Sequence, residues 1–367
     1  SSQSEYEITM SMNLVRLWWQ RYFSDPQALI LLLLLAGVLF VVLIMGDMLA
    51  PVFASIIIAY VLEGIVRRLL RIKLSRLVAS VITFALFLVI YLLLLFWLLP
   101  LLSTQVSQLL QQIPSMISAS QQALLELPAK YPAMITENQI RELAVILRSE
   151  IGGTAQYLLT QSLASVPGLL AIVVYLFLVP LLVFFFLKDK ELITDWVIGL
   201  LPKQRRLATT VWVEVNSQIA KYVRGKAWEI IVVWSVTYAV FSLFGLQFAM
   251  LLSVLVGLSV IIPYIGAAVV TIPVMLIAFF QWGWVPQTGW LIVSYGVIQA
   301  LDGNVLVPLL FSEVVNLHPI AIIIAVLVFG GLWGFWGVFF AIPLATVVQV
   351  LLKVWPRRDV IDDAKAS

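Results

Sequence analysis

Two stretches decide how this chain is read: "SVLVGLSVIIPYIGAAVVTIP" (Ser253–Pro273) and "AVLVFGGLWGFWGVFFAIP" (Ala325–Pro343). Each carries a V-L-V run, then glycine, then an aromatic two residues before a glycine, then I-P. The apolar stretch ahead of each break is short, Phe248–Ile262 and Ile320–Phe329, against the roughly 20 residues that cross a bilayer as a helix. Glycine and proline at the break allow a sharp reversal. Each stretch is therefore predicted to be a helix-turn-helix hairpin that enters and leaves by one face. The hinges are expected at Pro263 and Gly266 in the first, and at Gly330, Gly331, Gly334 and Gly337 in the second. Each hairpin follows an apolar span, Ile230–Phe244 or Gly289–Leu310, and the two spans run in opposite directions. Span plus hairpin is thus repeated with inverted topology, the arrangement by which many transporters place a site near the midplane.

The rest of the chain places these hairpins in a membrane. Apolar residues make up 62% and charged residues 11% of the 367 residues, where a soluble domain has about 45–50% and about 25%. The predicted fold is an all-α integral membrane protein of about eight membrane segments, with amphipathic helices on both sides. The net charge of +3 gives no reason to expect a nucleic-acid partner, and the absence of cysteine removes disulfides and thiolate sites. Residues 1–9 have no helical pattern, and Met10 or Met12 is read as the natural start. The first apolar run lacks a small-residue cleavage site and is expected to be retained.

Apolar runs at Ala28–Gly46, Ala50–Leu62 (extended to Leu70), Leu77–Leu101, Val166–Leu187 and Ile230–Phe244 divide the chain. The expected segments are a cytoplasmic N-terminus (1–27), first membrane segments (28–101), an external helical segment (102–165), a span (166–187), a cytoplasmic amphipathic segment (188–228), a transport core with the repeat (229–352) and a cytoplasmic tail (353–367). Basic residues set the orientation. Arg67, Arg68, Arg71, Lys73 and Arg76 crowd one loop, eight more lie from Lys188 to Lys226, and Lys353, Arg357, Arg358 and Lys365 follow the last run. Only Lys130, Arg141 and Arg148 fall in 102–165. Counting crossings puts both termini in the cytoplasm. Externally, Ile140, Leu143, Leu147 and Ile151 mark a helix face. In Lys203–Lys226, Leu207, Val211, Val215, Ile219 and Tyr222 mark another. The basic residues around it suit an anionic membrane surface.

Between the hairpins runs "DGNVLVPLLFSEVVNLHP" (Asp302–Pro319), with two acids, two asparagines and the chain's one histidine. No Lys or Arg occurs from Ala227 to Leu352. A carboxylate within a span costs at least about 2.5–3.5 kcal/mol and is a functional candidate by default. Asp302, Asn304 and Gln299, one turn away, are the predicted substrate- or ion-binding residues. The helix is expected to loosen at Gly303. Glu313, Asn316 and His318 are the predicted gate, with His318 the side chain that ordinarily titrates near neutrality. Of these acids only Asp302 is expected deep in the membrane. Asp47 and Glu63, at span ends, are secondary candidates. A cap or turn role for Asp302 and a helix cap for His318 are the plainer readings. No phosphate-binding loop, metal-ligand cluster or nucleophile pattern is present in the sequence, so no enzyme activity, metal or cofactor is expected.

"PLLVFFFLKDKE" (Pro180–Glu191), "IPYIGAAVVTIP" (Ile262–Pro273) and the long run from Ile298 to Ala345 resemble the autoinducer exporter family of permeases, PerM-type bacterial members above all. The resemblance covers Arg16 to Trp355. It implies a multi-pass, all-helical permease of the bacterial inner membrane, homo-oligomeric, in a family credited with exporting a signalling furanone or with sodium/proton antiport. Three functions are carried forward: a secondary exporter of a small polar metabolite or signalling molecule, a sodium/proton antiporter, and a non-transporting membrane scaffold. The expected partners are the lipid bilayer, a small-molecule or cation substrate and further copies of the chain.

Overall fold

The computed structural model describes residues 26–130, 166–199, 206–263, 265–311 and 317–354, and these contain helices and no strand. The helices are α1 (Pro26–Arg71), α2 (Arg76–Leu93), α3 (Leu99–Lys130), α4 (Val166–Lys188), α5 (Lys190–Gly199), α6 (Arg206–Phe244), α7 (Ala249–Ser259), α8 (Ile265–Trp282), α9 (Pro286–Leu301), α10 (Val307–Phe311), α11 (Pro319–Phe339) and α12 (Ala341–Val354). Among the described residues six helical stretches are long and apolar enough to cross a bilayer, and three shorter apolar helices accompany them. Helix is the form that satisfies every backbone polar group inside its own segment, which lipid requires. The protein is an all-α membrane protein.

Three helices run further than the apolar runs suggest. α1 is one helix of 46 residues, about 69 Å at 1.5 Å per residue, so the reversal expected between Gly46 and Ala50 is absent. Pro51 lies inside it, and Ser55 Oγ donates to the Pro51 carbonyl at 2.6 Å. One helix in place of two changes the number of crossings, and the side of the N-terminus no longer follows from counting. α2 passes through a π-helical turn, Leu94–Leu98, straight into α3, so the helix runs without a break past residue 102, where the external segment is expected to begin. α6 likewise carries the amphipathic stretch 206–226 directly into the apolar run that ends at Phe244. The external face expected from Ile140 to Ile151 lies outside the described residues.

The chain forms two compact units. One comprises residues 1–67, 185–227 and 307–367, the other 68–184 and 228–306. The first hairpin, α7–α8, belongs to the second unit, and the second hairpin, α11–α12, to the first unit.

In the second unit, Phe241, Leu252, Val256, Val274, Ala278 and Leu291 are fully buried in one core shared by α6, α7, α8 and α9. α6 ends in the motif a left-handed residue permits: Gly245 has φ +70°, and the Leu246 N–H reaches back to the Phe241 carbonyl at 2.9 Å. Gln281 clamps the following loop, donating to Gly245 O at 2.8 Å and accepting from Gln247 N at 2.7 Å. Gln105 on α3 accepts from Leu251 N at 2.9 Å. That N–H is one of those a helix start leaves unsatisfied. α7 reverses into α8 through Val260–Pro263. There a Cβ on Gly266 would collide with the Ser259 carbonyl.

The second hairpin is built the same way from different residues. α11 breaks at Trp333 and at Gly334 (φ 57°, ψ −135°), a conformation open only to glycine. A Cβ on Gly337 would collide with the Phe329 carbonyl, and one on Gly330 would lie 2.8 Å from Val338 Cγ2. In both hairpins a glycine lets the returning strand of chain press on a carbonyl seven or eight residues upstream. Tyr222 and Phe311 pack beneath the second hairpin with ring centroids 5.8 Å apart. Phe53 meets Trp333 edge-on at 4.9 Å.

Candidate functional site

A polar thread crosses the apolar interior of the second unit. α9 starts where Val285 is extended and Pro286 occupies the first turn. Tyr295, 2% exposed, faces α8, where its hydroxyl lies 3.3 Å from Thr271 Oγ1. Thr271 Oγ1 also donates to the Ala267 carbonyl at 2.7 Å. Gln299 lies one turn further along α9, on the side of the Tyr295 hydroxyl. Its buried Nε2 has no hydrogen-bond partner among the described residues. Asp302 follows three residues on, half-buried. Spacings of four and three keep Tyr295, Gln299 and Asp302 on one helix face.

The helix changes form at Asp302. Residues Asp302–Leu306 make a π-helical turn, in which Gly303 has open space where a side chain would be. Single π turns interrupt α-helices most often at functional sites. Asn304 does not join Asp302. It is exposed, and its Nδ2 donates back to the Ala300 carbonyl at 2.8 Å. Gln299 and Asp302 therefore share a face, and Asn304 answers a backbone group instead.

Glu313 and Asn316 lie outside the described residues. His318 belongs to the first unit, is exposed, and caps α11: its Nδ1 accepts from Ile320 N at 3.3 Å, with Pro319 in the first turn. Pro263 lies within the first reversal and Gly331 has nothing near it.

Charge is also buried outside the Asp302 stretch. Lys226 is 4% and Glu229 2% exposed, on α6, so Asp302 is not the one acid held away from water. The signal was "RGKAWEII", charges at the head of an apolar run, which reads as a loop end. Lys226 Nζ lies over the Phe311 ring, 5.1 Å from its centroid. In the same unit Glu63, 5% exposed, is the centre of an ion-pair cluster. Lys190 reaches its Oε1 at 2.8 Å and Arg67 Nε the same oxygen at 3.5 Å. Tyr295 and Thr271 were missed because both read as ordinary members of apolar helices.

An all-α membrane protein with a polar thread, a π turn at an acid and two glycine-crossed hairpins has the features of a transport protein. Comparison with known proteins agrees. The family described as AI-2E family transporter matches residues 29–357. The chain is 47% identical over 339 residues to "Putative permease PerM" of Escherichia coli strain K12, covering 92% of this chain and 96% of that one. It is 25% identical over 281 residues to "Putative transport protein YueF" of Bacillus subtilis strain 168, covering 73% and 75%. To "Putative transport protein YrrI" of the same organism it is 29% identical over 175 residues, covering 47% and 49%. The chain belongs to the AI-2E transporter family.

Proposed function

We propose that this protein is a secondary transporter that exports a small polar metabolite or signalling molecule across the bacterial inner membrane. Gln299 and Asp302, with Tyr295 behind them, form the binding face, and the π turn at Asp302 gives it a flexible edge. The observation that carries this reading is the shared polar face Tyr295–Gln299–Asp302 next to a glycine-crossed hairpin, in the apolar half of a membrane helix. Buried polar residues in membrane helices mark substrate and ion paths, and interrupted helices supply the site in many transporters. The sequence holds no nucleotide-binding loop, so the driving force is an ion gradient or the solute gradient itself. The basic residues of 188–228 and of the tail favour the cytoplasmic side for both of these segments, and the working form is a homo-oligomer.

Sodium/proton antiport is the second reading, and Glu229 favours it. With Asp302 it gives the second unit two acids withdrawn from water, as a coupled-ion mechanism uses. Proteoliposomes containing the purified protein separate the readings. Sodium flux driven by a pH gradient alone, with no organic solute, supports antiport. Release of preloaded polar solute dependent on the protein supports export. No protein-dependent flux of either kind overturns both.

A further inference from the structure

In the first unit three helices bring three cations to one carboxylate. α1 and α6 lie side by side: the Tyr60 hydroxyl donates to Asn216 Oδ1 at 2.6 Å. Further along both helices, Arg224 Cδ lies 3.3 Å from the position a Cβ on Gly64 would take. Gly64 is thus the seat over which the Arg224 side chain runs. That brings its guanidinium into the field of both Arg67 and Glu63. α5 contributes Lys190, held at 2.8 Å by Glu63 Oε1, the oxygen that Arg67 also approaches at 3.5 Å. Arg224 forms no ion pair among the described residues.

Among these four residues there are three positive charges and one negative. Glu63 is the floor, its side chain 7% exposed, while those of Arg67 and Lys190 are 58% and 36% exposed. Arg67 and Arg224 oppose one another, and one carboxylate does not offset three cations, so a further anion is favoured there. Two guanidinium forks and an ammonium suit a tetrahedral oxyanion: each fork can present two N–H groups to its oxygens, and the ammonium adds a point charge. A single carboxylate ligand would leave one fork unused.

We infer that Glu63, Arg67, Lys190 and Arg224 form a binding site for a phosphate group. Arg67 and Arg224 grip the oxygens, Lys190 adds charge, and Glu63 holds Lys190 in place at the cost of opposing the ligand. The phosphate is carried either by an anionic phospholipid or by a solute. The site is independent of the transport reading, because binding is measured without flux.

The test uses the full-length protein in neutral detergent and two probes. Phosphatidylglycerol binding is counted by native mass spectrometry against phosphatidylcholine, and inorganic phosphate is titrated by thermal shift. Binding of phosphatidylglycerol alone assigns a lipid headgroup; binding of inorganic phosphate as well assigns a free solute. Arg224→Gln is expected to weaken the bound probe at least tenfold. Arg67→Gln, at a side chain already open to solvent, should weaken it severalfold without straining the fold. Arg68→Gln, an exposed neighbour outside the cluster, should change it less than twofold. Glu63→Gln removes the opposing carboxylate and should tighten binding. The inference is overturned if neither probe binds, if all three arginine variants lose binding equally, or if Glu63→Gln weakens it.

Discussion

Tyr295 on α9 and Thr271 on α8 hold their hydroxyls 3.3 Å apart inside an apolar core. Thr271 also has the Ala267 carbonyl, so it is satisfied without its neighbour. Gln299, one turn along, has a buried Nε2 with no hydrogen-bond partner among the described residues, and the Tyr295 hydroxyl is the polar group on its side of the helix. The tyrosine hydroxyl therefore adds a polar group to the face that carries Gln299 and Asp302.

Tyr295→Phe keeps the ring and removes that hydroxyl. The lost hydrogen bond should lower stability by about 1 kcal/mol. Solute efflux from proteoliposomes should fall about tenfold, the equivalent of about 1.4 kcal/mol in a barrier. A variant with unchanged flux would show that Gln299 needs no orientation from Tyr295.

The two glycine crossings make a contrast within one helix. Gly337→Ala sets a methyl against the Phe329 carbonyl, and such overpacking costs about 1–3 kcal/mol. Gly331 has nothing within 4 Å, so Gly331→Ala should gain up to about 1 kcal/mol from helix propensity. Melting temperatures in mild detergent should move in opposite directions. Gly266→Ala, against Ser259, should behave like Gly337→Ala.

The hairpins were legible because glycine and proline at a chain reversal leave a mark that burial does not erase. The length of α1 was not. "GDMLAP" (Gly46–Pro51) has the composition of a turn, yet Gly46 is there because the Trp333 indole occupies the space of its side chain. Pro51 is accommodated within the helix, which lipid favours over any irregular chain. At the candidate site, the loosening at Gly303 and the shared face of Gln299 and Asp302 follow from residue type and spacing. Tyr295 and Thr271 do not, since a tyrosine or threonine in an apolar run has no pattern until the helix opposite is known. Asn304 was assigned to the site by nearness in sequence, and local competition for the Ala300 carbonyl decided otherwise. Glu63 was set aside as a span-end residue, and its partners come from 127 residues away as well as from the next turn.

Tyr222 tests how the second hairpin is held. Its side chain is 1% exposed and its hydroxyl donates to the Phe339 carbonyl at 3.1 Å. Phe339 is the last residue of α11, where carbonyls lose their helical partners. Tyr222→Phe leaves that carbonyl buried without its donor and should cost about 1–3 kcal/mol. Hydrogen exchange should quicken over α11 and α12 in this variant. Uniform quickening across all helices would instead mean that Tyr222 only fills space.

Asp302→Asn is the sharpest test of the transport site. The side chains have nearly the same shape, so packing and the π turn at Asp302–Leu306 should survive. The change removes one negative charge and supplies an amide donor. If Asp302 binds a cation or a proton, or accepts from a polar solute, loss of the charge removes the interaction at the point where the helix is already loosened. Transport should fall to the background of empty liposomes while expression, membrane insertion and melting temperature stay near those of the parent. Flux is to be compared at equal protein from pH 6 to pH 8. Activity restored at no pH, in a folded variant, supports binding at Asp302. Flux equal to the parent across the range would make Asp302 a structural residue of the π turn and move the search to Glu229, a buried acid of the same unit.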